Sequence, residues 1–471
     1  MQIQPIPKTT ALSSLPPAWP DDLRTTIRGE IESSGRTIVV LDDDPTGTQT
    51  VHDVPVLTGW GVDVLATELA TRPACFYILT NSRALPGHEA ASLGRTIGQN
   101  LAAASARAGR DVAVVSRSDS TLRGHYPGEV TALGEGLGQR FDGQLVIPFF
   151  LEGGRYTIHN IHWVAEGDTL VPAAQTPYAV DKAFGYANSD LRAWVEEKTG
   201  GQVRAADVAA VTLDDLRVGG PDAVRERLLG LADGQVCIVN CASYRDMEVF
   251  VLGLLAAEAA GKRFLYRTAA SFVQVRAGLT ARPLLTADDL ELPATSGGLF
   301  VVGSYVPKTT TQLFALLAQL QIVPVEIDVD ALLDERRADT LADAIRATDA
   351  ALAAGQTVAV FTSRQLVSVD DHAGSLSIGR RVSDGLIEIV QGIRSRPRYL
   401  VAKGGITSSD VATAGLGVVR AVVAGQILPG VPVWRTGAES RHPGLAYVVF
   451  PGNVGGDDAL VEVERRLGRE G

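Results

Sequence analysis

Short apolar runs alternate with helix-length amphipathic segments along almost all of the 471 residues. This alternation constrains the fold more than any other feature. Strands separated by helix-length segments must be joined by crossovers, and crossovers join parallel strands. In the first half the strand candidates are 37–43, 74–80, 111–117, 143–150, 235–241 and 263–268. Helix candidates fall between them, at about 61–71, 87–109, 126–138, 189–199, 223–232 and 244–261. The second half repeats the style, with strands at 299–305, 322–328, 356–363, 398–404, 418–425 and 445–452. Its helices fall near 308–320, 338–354, 374–396 and 408–416, with a terminal one from about 456. The expected fold class is therefore α/β, in two domains, each with a mostly parallel sheet flanked by helices.

A chain of this length exceeds one core of ordinary size. The expected division is 1–290 and 296–471, with a linker at about 285–297 that holds Pro293 and a Gly pair. Residues 151–188 read as a second irregular region, rich in Gly, Thr, His and aromatics. Long structureless stretches inside domains are often functional.

Charge and cysteine content exclude several classes. A net charge of −11 argues against a broad nucleic-acid surface. Cys75, Cys237 and Cys241 are too few and too far apart for a disulfide framework, and they read as small buried residues in a reducing compartment. The N-terminal segment has neither a signal-peptide core nor a membrane span, so the expectation is a cytoplasmic protein with no membrane partner. His159 and His162 stand at i, i+3, yet no third metal ligand is visible in the sequence, and no metal site is expected from these residues.

Parallel sheets bind ligands outside the carboxyl ends of their strands. Four strand ends in the first half carry polar clusters. Asp43, Asp44, Thr46 and Gly47 follow the first, and Asn81, Ser82 and Arg83 the second. Arg117, Ser118, Asp119, Ser120 and Arg123 follow the third, and Glu152 and Arg155 the fourth. Each alone has a plain reading: Asp-Asp-Pro-Thr-Gly as an ordinary turn, Arg117 with Asp119 as a helix-capping ion pair. Together they point to an arginine-lined pocket. Guanidiniums match carboxylate or phosphate, and hydroxyls and carboxylates suit a polyol, so the implied ligand is a small hydroxylated acid.

In the second half three strands end in glycine turns before helices. Gly303-Ser304 is followed by Pro307, Lys308 and Thr309; Lys403-Gly404-Gly405 by Thr407 and Ser408; and Gly452, Asn453, Gly455 and Gly456 precede the last helix. Helix starts with free N–H groups and hydroxyls suit a polyphosphate, although glycine at such turns also serves tight packing alone. No G-x-x-x-x-G-K-[ST] is present, nor the G-x-G-x-x-G that a nicotinamide-dependent oxidoreductase would carry. The combined layout is that of a small-molecule kinase.

These residues are similar to the motifs of the four-carbon acid sugar kinase family, formerly DUF1537, over nearly the whole chain. Asp43-Asp44-Pro45-Thr46-Gly47 resembles its early Asp-Asp-x-Thr-Gly, and Ser82-Arg83 its Ser-Arg. Arg117 to Gly124 resembles its Lys-x-Asp-Ser-x-Leu-Arg-Gly, with Arg in place of Lys, and Gly154-Arg155-Tyr156-Thr157 its Gly-Arg-x-Thr. In the second half Gly303-Ser304, Thr309 and Gln312 look like the family's Gly-Ser opening, and Gly404-Gly405-Ile406-Thr407 like its Gly-Gly-x-Thr loop. The resemblance implies an N-terminal acid-sugar domain, a C-terminal ATP domain, and transfer of the γ-phosphate to a hydroxyl of threonate, erythronate or an oxo-tetronate. On that reading Asp43, Asp44, Arg83, Arg117, Ser118, Asp119, Ser120, Arg123 and Arg155 bind the acid, and Asp119 or Asp43 accepts the hydroxyl proton. Ser304, Thr309, Gly404, Gly405, Thr407, Gly452 and Gly455 hold ATP, Mg²⁺ bridges its phosphates, and a homodimer is one possible assembly. Three departures mark a divergent subgroup: Ile406 where many members are acidic, no lysine in Phe450-Pro451-Gly452-Asn453-Val454-Gly455, and the unusual segments 151–164 and 184–200. A non-catalytic regulatory protein that kept the pocket is the alternative.

Overall fold

The computed structural model describes residues 3–364 and 372–468. Contacts divide the chain into two compact units, Met1–Thr50 with Gly59–Ala281, and Val51–Thr58 with Arg282–Gly471.

The first unit holds seven parallel strands in the order Ala209–Val211, Gln235–Val239, Gly143–Ile147, Phe264–Thr268, Val112–Arg117, Thr37–Asp42, Cys75–Leu79. Thr37–Asp42 and Cys75–Leu79 are buried at every position. Burial on both faces is why these strands read as continuous apolar runs and not as alternating ones. Strand register sets the later chemistry: Asp42 stands opposite Arg117, and Arg117 opposite Thr268. Helices Gly87–Ala108 and Gly128–Leu137 pack closely because glycines face the partner backbone. A Cβ on Gly136 would stand 2.2 Å from the Arg95 carbonyl oxygen.

Residues 151–188 are not the irregular region the composition suggests. They form a small antiparallel sheet, Arg155–Ile158, Ile161–Glu166 and Thr169–Pro172, whose last strand also pairs with Ile6–Pro7. His159 and Asn160, with φ of 52° and 67°, make the two-residue turn that closes its first hairpin. The segment that follows packs Ala173, Ala179, Tyr186 and Trp194 against Leu122, Tyr126 and the sheet residues Val146 and Ile238.

The second unit's sheet runs Val54–Leu57, Arg420–Leu428, Val431–Thr436, Ala446–Phe450, Tyr399–Lys403, Leu299–Val302, Val358–Thr362, Val323–Ile327. The first three pairings are antiparallel and the remainder parallel. Two boundary expectations need correction. Val54–Leu57 lies inside the expected first domain, yet it belongs to the second unit, because its ladder partner is Arg420–Leu428. The expected linker at 285–297 is packed structure: the Leu285 N–H donates to the Gln426 carbonyl, and Leu285 and Leu290 are buried in the second core. A Thr286–Asp289 capping box closes its first turn, and its Gly pair is there for close approach, Gly297 to the Gln356 main chain and Gly298 to the Tyr399 ring.

The expected helix at 408–416 begins earlier, as Gly405–Asp410, and the one near 374–396 is His372–Gly392. The three cysteines are buried and unpaired. Among the described residues no helix is long and apolar enough to cross a membrane.

The helix pair offers a direct test of close packing. Gly136→Ala should lower the unfolding free energy by about 1–3 kcal/mol, because the carbonyl it meets is main chain and cannot turn aside. The midpoint of urea unfolding reads this.

Candidate functional site

In the first unit, the row set by strand register is the foundation of the site. Asp42 and Arg117 end adjacent central strands, and both are buried. Arg117 Nη1 lies 3.4 Å from Asp42 Oδ1. Burial pushes the Asp42 carboxyl up to about 8 despite the opposing pull of Arg117. Gly47 lies directly against this carboxylate, and a Cβ there would stand 1.9 Å from Asp42 Oδ2. The glycine of Asp-Asp-Pro-Thr-Gly is thus required for close approach, and the turn it closes is a short 3₁₀ segment, Pro45–Thr48, capped by Asp44 through the Thr46 N–H at 2.9 Å.

Arg83 binds the next two carboxylates. Its Nε donates to Asp43 Oδ2 at 3.1 Å, its Nη2 to Asp43 Oδ1, and its Nη1 to Asp44 Oδ2 at 3.2 Å. Burial works to raise the Asp44 carboxyl, but Arg83 and Thr46 hold it below its ordinary value. Asp119 receives a bidentate pair from Arg123, at 3.0 and 3.2 Å, together with the Thr121 N–H at 3.1 Å and the Thr121 hydroxyl. Burial opposes ionisation there too, yet Arg83 and Arg123 hold this carboxyl well below the usual carboxylate range. Ser118 and Ser120 are buried in the same loop. The loop's backbone is strained, with Leu122 at φ 71°, and so is that of Asn81 beside Arg83, at φ 51°.

Tertiary packing holds that strained loop. His162 of the small sheet accepts the Thr157 hydroxyl at Nδ1, 3.0 Å, and donates from Nε2 to the Ser120 carbonyl at 2.8 Å. Burial lowers its pKa to about 4, so the ring is neutral near pH 7. The Tyr186 hydroxyl donates to the Thr121 carbonyl at 2.8 Å. Tyr178 lies beneath two guanidiniums, Arg123 at 5.2 Å and Arg155 at 5.5 Å from its ring centre. Arg155 therefore joins the cluster through Tyr178, and Asp181 stands 3.8 Å from Arg123.

The structure brings together Asp43, Asp44, Arg83, Arg117, Ser118, Asp119, Ser120 and Arg123, as the strand-end argument expects, and adds three residues it missed. Asp42 is legible as the first residue of an Asp triplet. Glu129 accepts the Ser82 hydroxyl at 2.6 Å, and burial pushes its carboxyl up to about 7; nothing in its helix sequence signals this. Arg267, one residue from the end of an apolar strand, is fully buried and donates to the Arg123 carbonyl at 3.0 Å, while its Nε and Nη1 have no acceptor among the described residues. Near pH 7 Asp42 is mostly protonated and Glu129 about half so. The guanidiniums of Arg83, Arg117, Arg123, Arg155 and Arg267 then outnumber the carboxylates of Asp43, Asp44, Asp119 and Asp181, a small surplus that suits an anion.

In the second unit the three glycine turns converge. A Cβ on Gly404 would stand 3.0 Å from the Ser304 Cβ, one on Gly452 would stand 3.4 Å from Ser304 Oγ, and one on Gly303 would meet Thr407 Oγ1 at 2.4 Å. Thr309 donates to the Gly452 carbonyl at 3.1 Å, and Gln312 to the Val454 and Gly456 carbonyls at 3.0 and 2.7 Å. Both are fully buried, so they shape the Gly452–Gly456 loop from below. Gly455 accepts from Lys308 Nζ at 3.1 Å, and Gly405 opens the helix that carries Thr407. Lys403 is buried over the Phe450 ring, 4.0 Å from its centre, and donates to the Pro451 and Gly452 carbonyls at 2.7 and 3.2 Å. Burial, with the neighbouring charge of Lys308, lowers its pKa to about 7. Ile406 is exposed, and Asp410 accepts the Ser383 hydroxyl.

The profile of a sugar-binding N-terminal domain matches residues 38–276, and that of a nucleotide-binding C-terminal domain matches residues 299–460. No curated protein matches the chain. Among solved structures, a protein from Salmonella typhimurium LT2 provisionally called a tRNA synthase is 16% identical, with a TM-score of 0.66 over 91% of this chain and 99% of that one. A Haemophilus influenzae protein of the DUF1537 family is also 16% identical, with a TM-score of 0.62 over 91% of this chain and 100% of that one. At this identity the likeness shows the fold.

The neutral His162 has a measurable consequence. Its folded pKa, about 4, lies below its ordinary 6.5, so the unfolded chain takes up a proton first as pH falls. Its contribution to stability is whole above about pH 6.5 and is lost as pH falls through about 4. His162→Gln should therefore show a smaller loss of stability than the parent between those two values, by urea unfolding at each pH.

Proposed function

This chain belongs to the family defined by the sugar-binding N-terminal domain and its nucleotide-binding C-terminal partner, and on that premise we propose that it is an ATP-dependent kinase acting on a hydroxyl of a four-carbon sugar acid. The observation that carries this reading is the buried cluster of guanidiniums and carboxylates at the first unit's strand ends, which is surplus in positive charge near pH 7. A sugar acid supplies one carboxylate for the guanidiniums and several hydroxyls for the carboxylates and serines. Arg117, Arg123 and Arg155 take the acid group, and Ser118 and Ser120 its hydroxyls.

Phosphoryl transfer passes through a loose transition state, so positioning and electrostatics matter more than a strong base. Asp43 and Asp119 orient the attacking hydroxyl. Each is bound by both prongs of one arginine, Asp43 by Arg83 and Asp119 by Arg123, but Asp119 also accepts from the Thr121 N–H and hydroxyl and its carboxyl is held low, which leaves Asp43 the better proton acceptor. In the second unit, Ser304, Gly404, Gly405, Thr407 and Gly452 cradle the phosphates, with Thr309 and Gly455 supporting the cradle. The buried ammonium of Lys403 fits this role, since a phosphate beside it would restore its proton. Mg²⁺ would be held by the nucleotide, supplying charge neutralisation for its phosphates; among the described residues no group of three His, Cys, Asp or Glu side chains could hold a metal ion.

The alternative is a non-catalytic protein that senses a sugar acid. The exposed Ile406 at the start of the Gly405–Asp410 helix favours it, because an apolar side chain there offers nothing to a phosphate or its metal. The assay that separates the two is ATP consumption against a panel of four-carbon sugar acids. Turnover with one of them supports the kinase; binding without turnover across the panel supports the sensor.

For the kinase, Asp43→Asn should lower kcat by about 10²–10⁴-fold with little change in KM for ATP. The KM for the acid should rise as pH passes upward through about 7 to about 8, because Glu129 and Asp42 then lose their protons and cancel the surplus positive charge. Asp42→Asn should flatten the upper part of that profile in steady-state kinetics.

A further inference from the structure

The second unit holds a cavity of about 500 Å³ that the reading so far leaves unused. It opens where three elements meet. Phe314 and Leu317 come from helix Pro307–Gln319, Glu326 and Asp328 from the end of strand Val323–Ile327, and Phe361 and Arg364 from the end of strand Val358–Thr362. The volume lies within the ordinary range for small-ligand pockets, and an apolar wall facing a few convergent polar groups is their usual composition.

Arg364 links this cavity to the glycine turns. Its Nη2 donates to the Ser304 carbonyl, while its Nε and Nη1 are out of solvent with no acceptor among the described residues. Buried donors without acceptors are costly, and a ligand oxygen would satisfy them. Glu326 is the carboxylate whose field acts on this guanidinium.

Sheet order supplies a scale. Strands Tyr399–Lys403, Leu299–Val302, Val358–Thr362 and Val323–Ile327 are successive parallel neighbours. Their carboxyl ends place Gly404, Ser304, Arg364 and Asp328 in that order along one edge. Three strand spacings amount to about 14 Å, a distance an extended nucleoside triphosphate spans. Charge sets the direction. Lys403 and Lys308 stand at the Gly404–Gly452 end, whereas the cavity end carries Glu326 and Asp328, which would repel phosphate but accept hydrogen bonds from a diol. In dinucleotide folds an acidic residue roughly 20 positions after the glycine turn holds the ribose, and Glu326 occupies that place relative to Gly303.

We propose that this cavity receives the nucleoside end of the nucleotide: the base against Phe314, Leu317 and Phe361, the ribose hydroxyls on Glu326, and the phosphates passing Arg364 to Ser304 and Gly404. The assignment rests on the kinase reading above and names the part of the site that distinguishes a nucleotide from bare polyphosphate. Glu326 and Phe314 are exposed, so both can be changed without opening the core.

The test compares ATP with inorganic tripolyphosphate by calorimetry on the full chain. Glu326→Gln and Phe314→Ala should each weaken ATP binding about ten-fold and leave tripolyphosphate binding unchanged. Unchanged ATP binding in both variants, or equal losses for the two ligands, overturns the placement while leaving the kinase reading intact. A parent chain that binds neither ligand overturns the kinase reading, and this assignment with it.

Discussion

Everything in the first unit's site follows from burying Arg117 at the end of a central strand. Burying a guanidinium is costly unless a carboxylate offsets its charge. Parallel register supplies Asp42 directly opposite it. Asp42 in turn demands a residue without a side chain at Gly47, and the turn that provides it aims Asp43 and Asp44 at Arg83. Arg83 also pulls on Asp119, so the second and third strand ends become one electrostatic unit. Removing one partner would strand the others in low dielectric, which is why so many charges sit within so few residues.

On the proposed function, the two units would hold their anions by different physics. The first uses fixed guanidiniums offset by carboxylates, two of which burial keeps largely or partly protonated near neutrality. The second uses glycine turns, hydroxyls and a buried lysine whose pKa is lowered by burial. On the same reading, the first arrangement suits a small acid with hydroxyls. The second leaves main-chain groups open along a strand edge, which suits an extended polyanion.

Most strands of both sheets were legible, because parallel strands buried on both faces must be apolar throughout and only their ends are free to be polar; the three-residue Ala209–Val211 and the antiparallel Val54–Leu57 and Val431–Thr436 were not. That same rule picked out Asp43, Arg83, Arg117, Asp119 and Arg123. Arg267 lay hidden one residue inside an apolar strand, and Glu129 inside an unremarkable helix, because neither has a local pattern. The 151–188 segment was read as irregular for a related reason. Its short strands alternate over too few residues to stand out, and the His159–Asn160 turn becomes decisive only once the hairpin is paired. Val54–Leu57 was misassigned because an antiparallel partner far along the chain, at Arg420–Leu428, decides where it belongs.

By itself, then, the sequence determined two α/β units, the edge on which chemistry gathers, and most of the charged side chains gathered there. These follow from local periodicity and from the one-way direction of parallel strands. Only the tertiary structure decided which carboxylates keep their protons, that His162 is a neutral brace for the Ser120 loop, and that Tyr178 joins Arg155 to Arg123. Protonation and stacking depend on burial and on neighbours distant in the chain, and no local pattern records either.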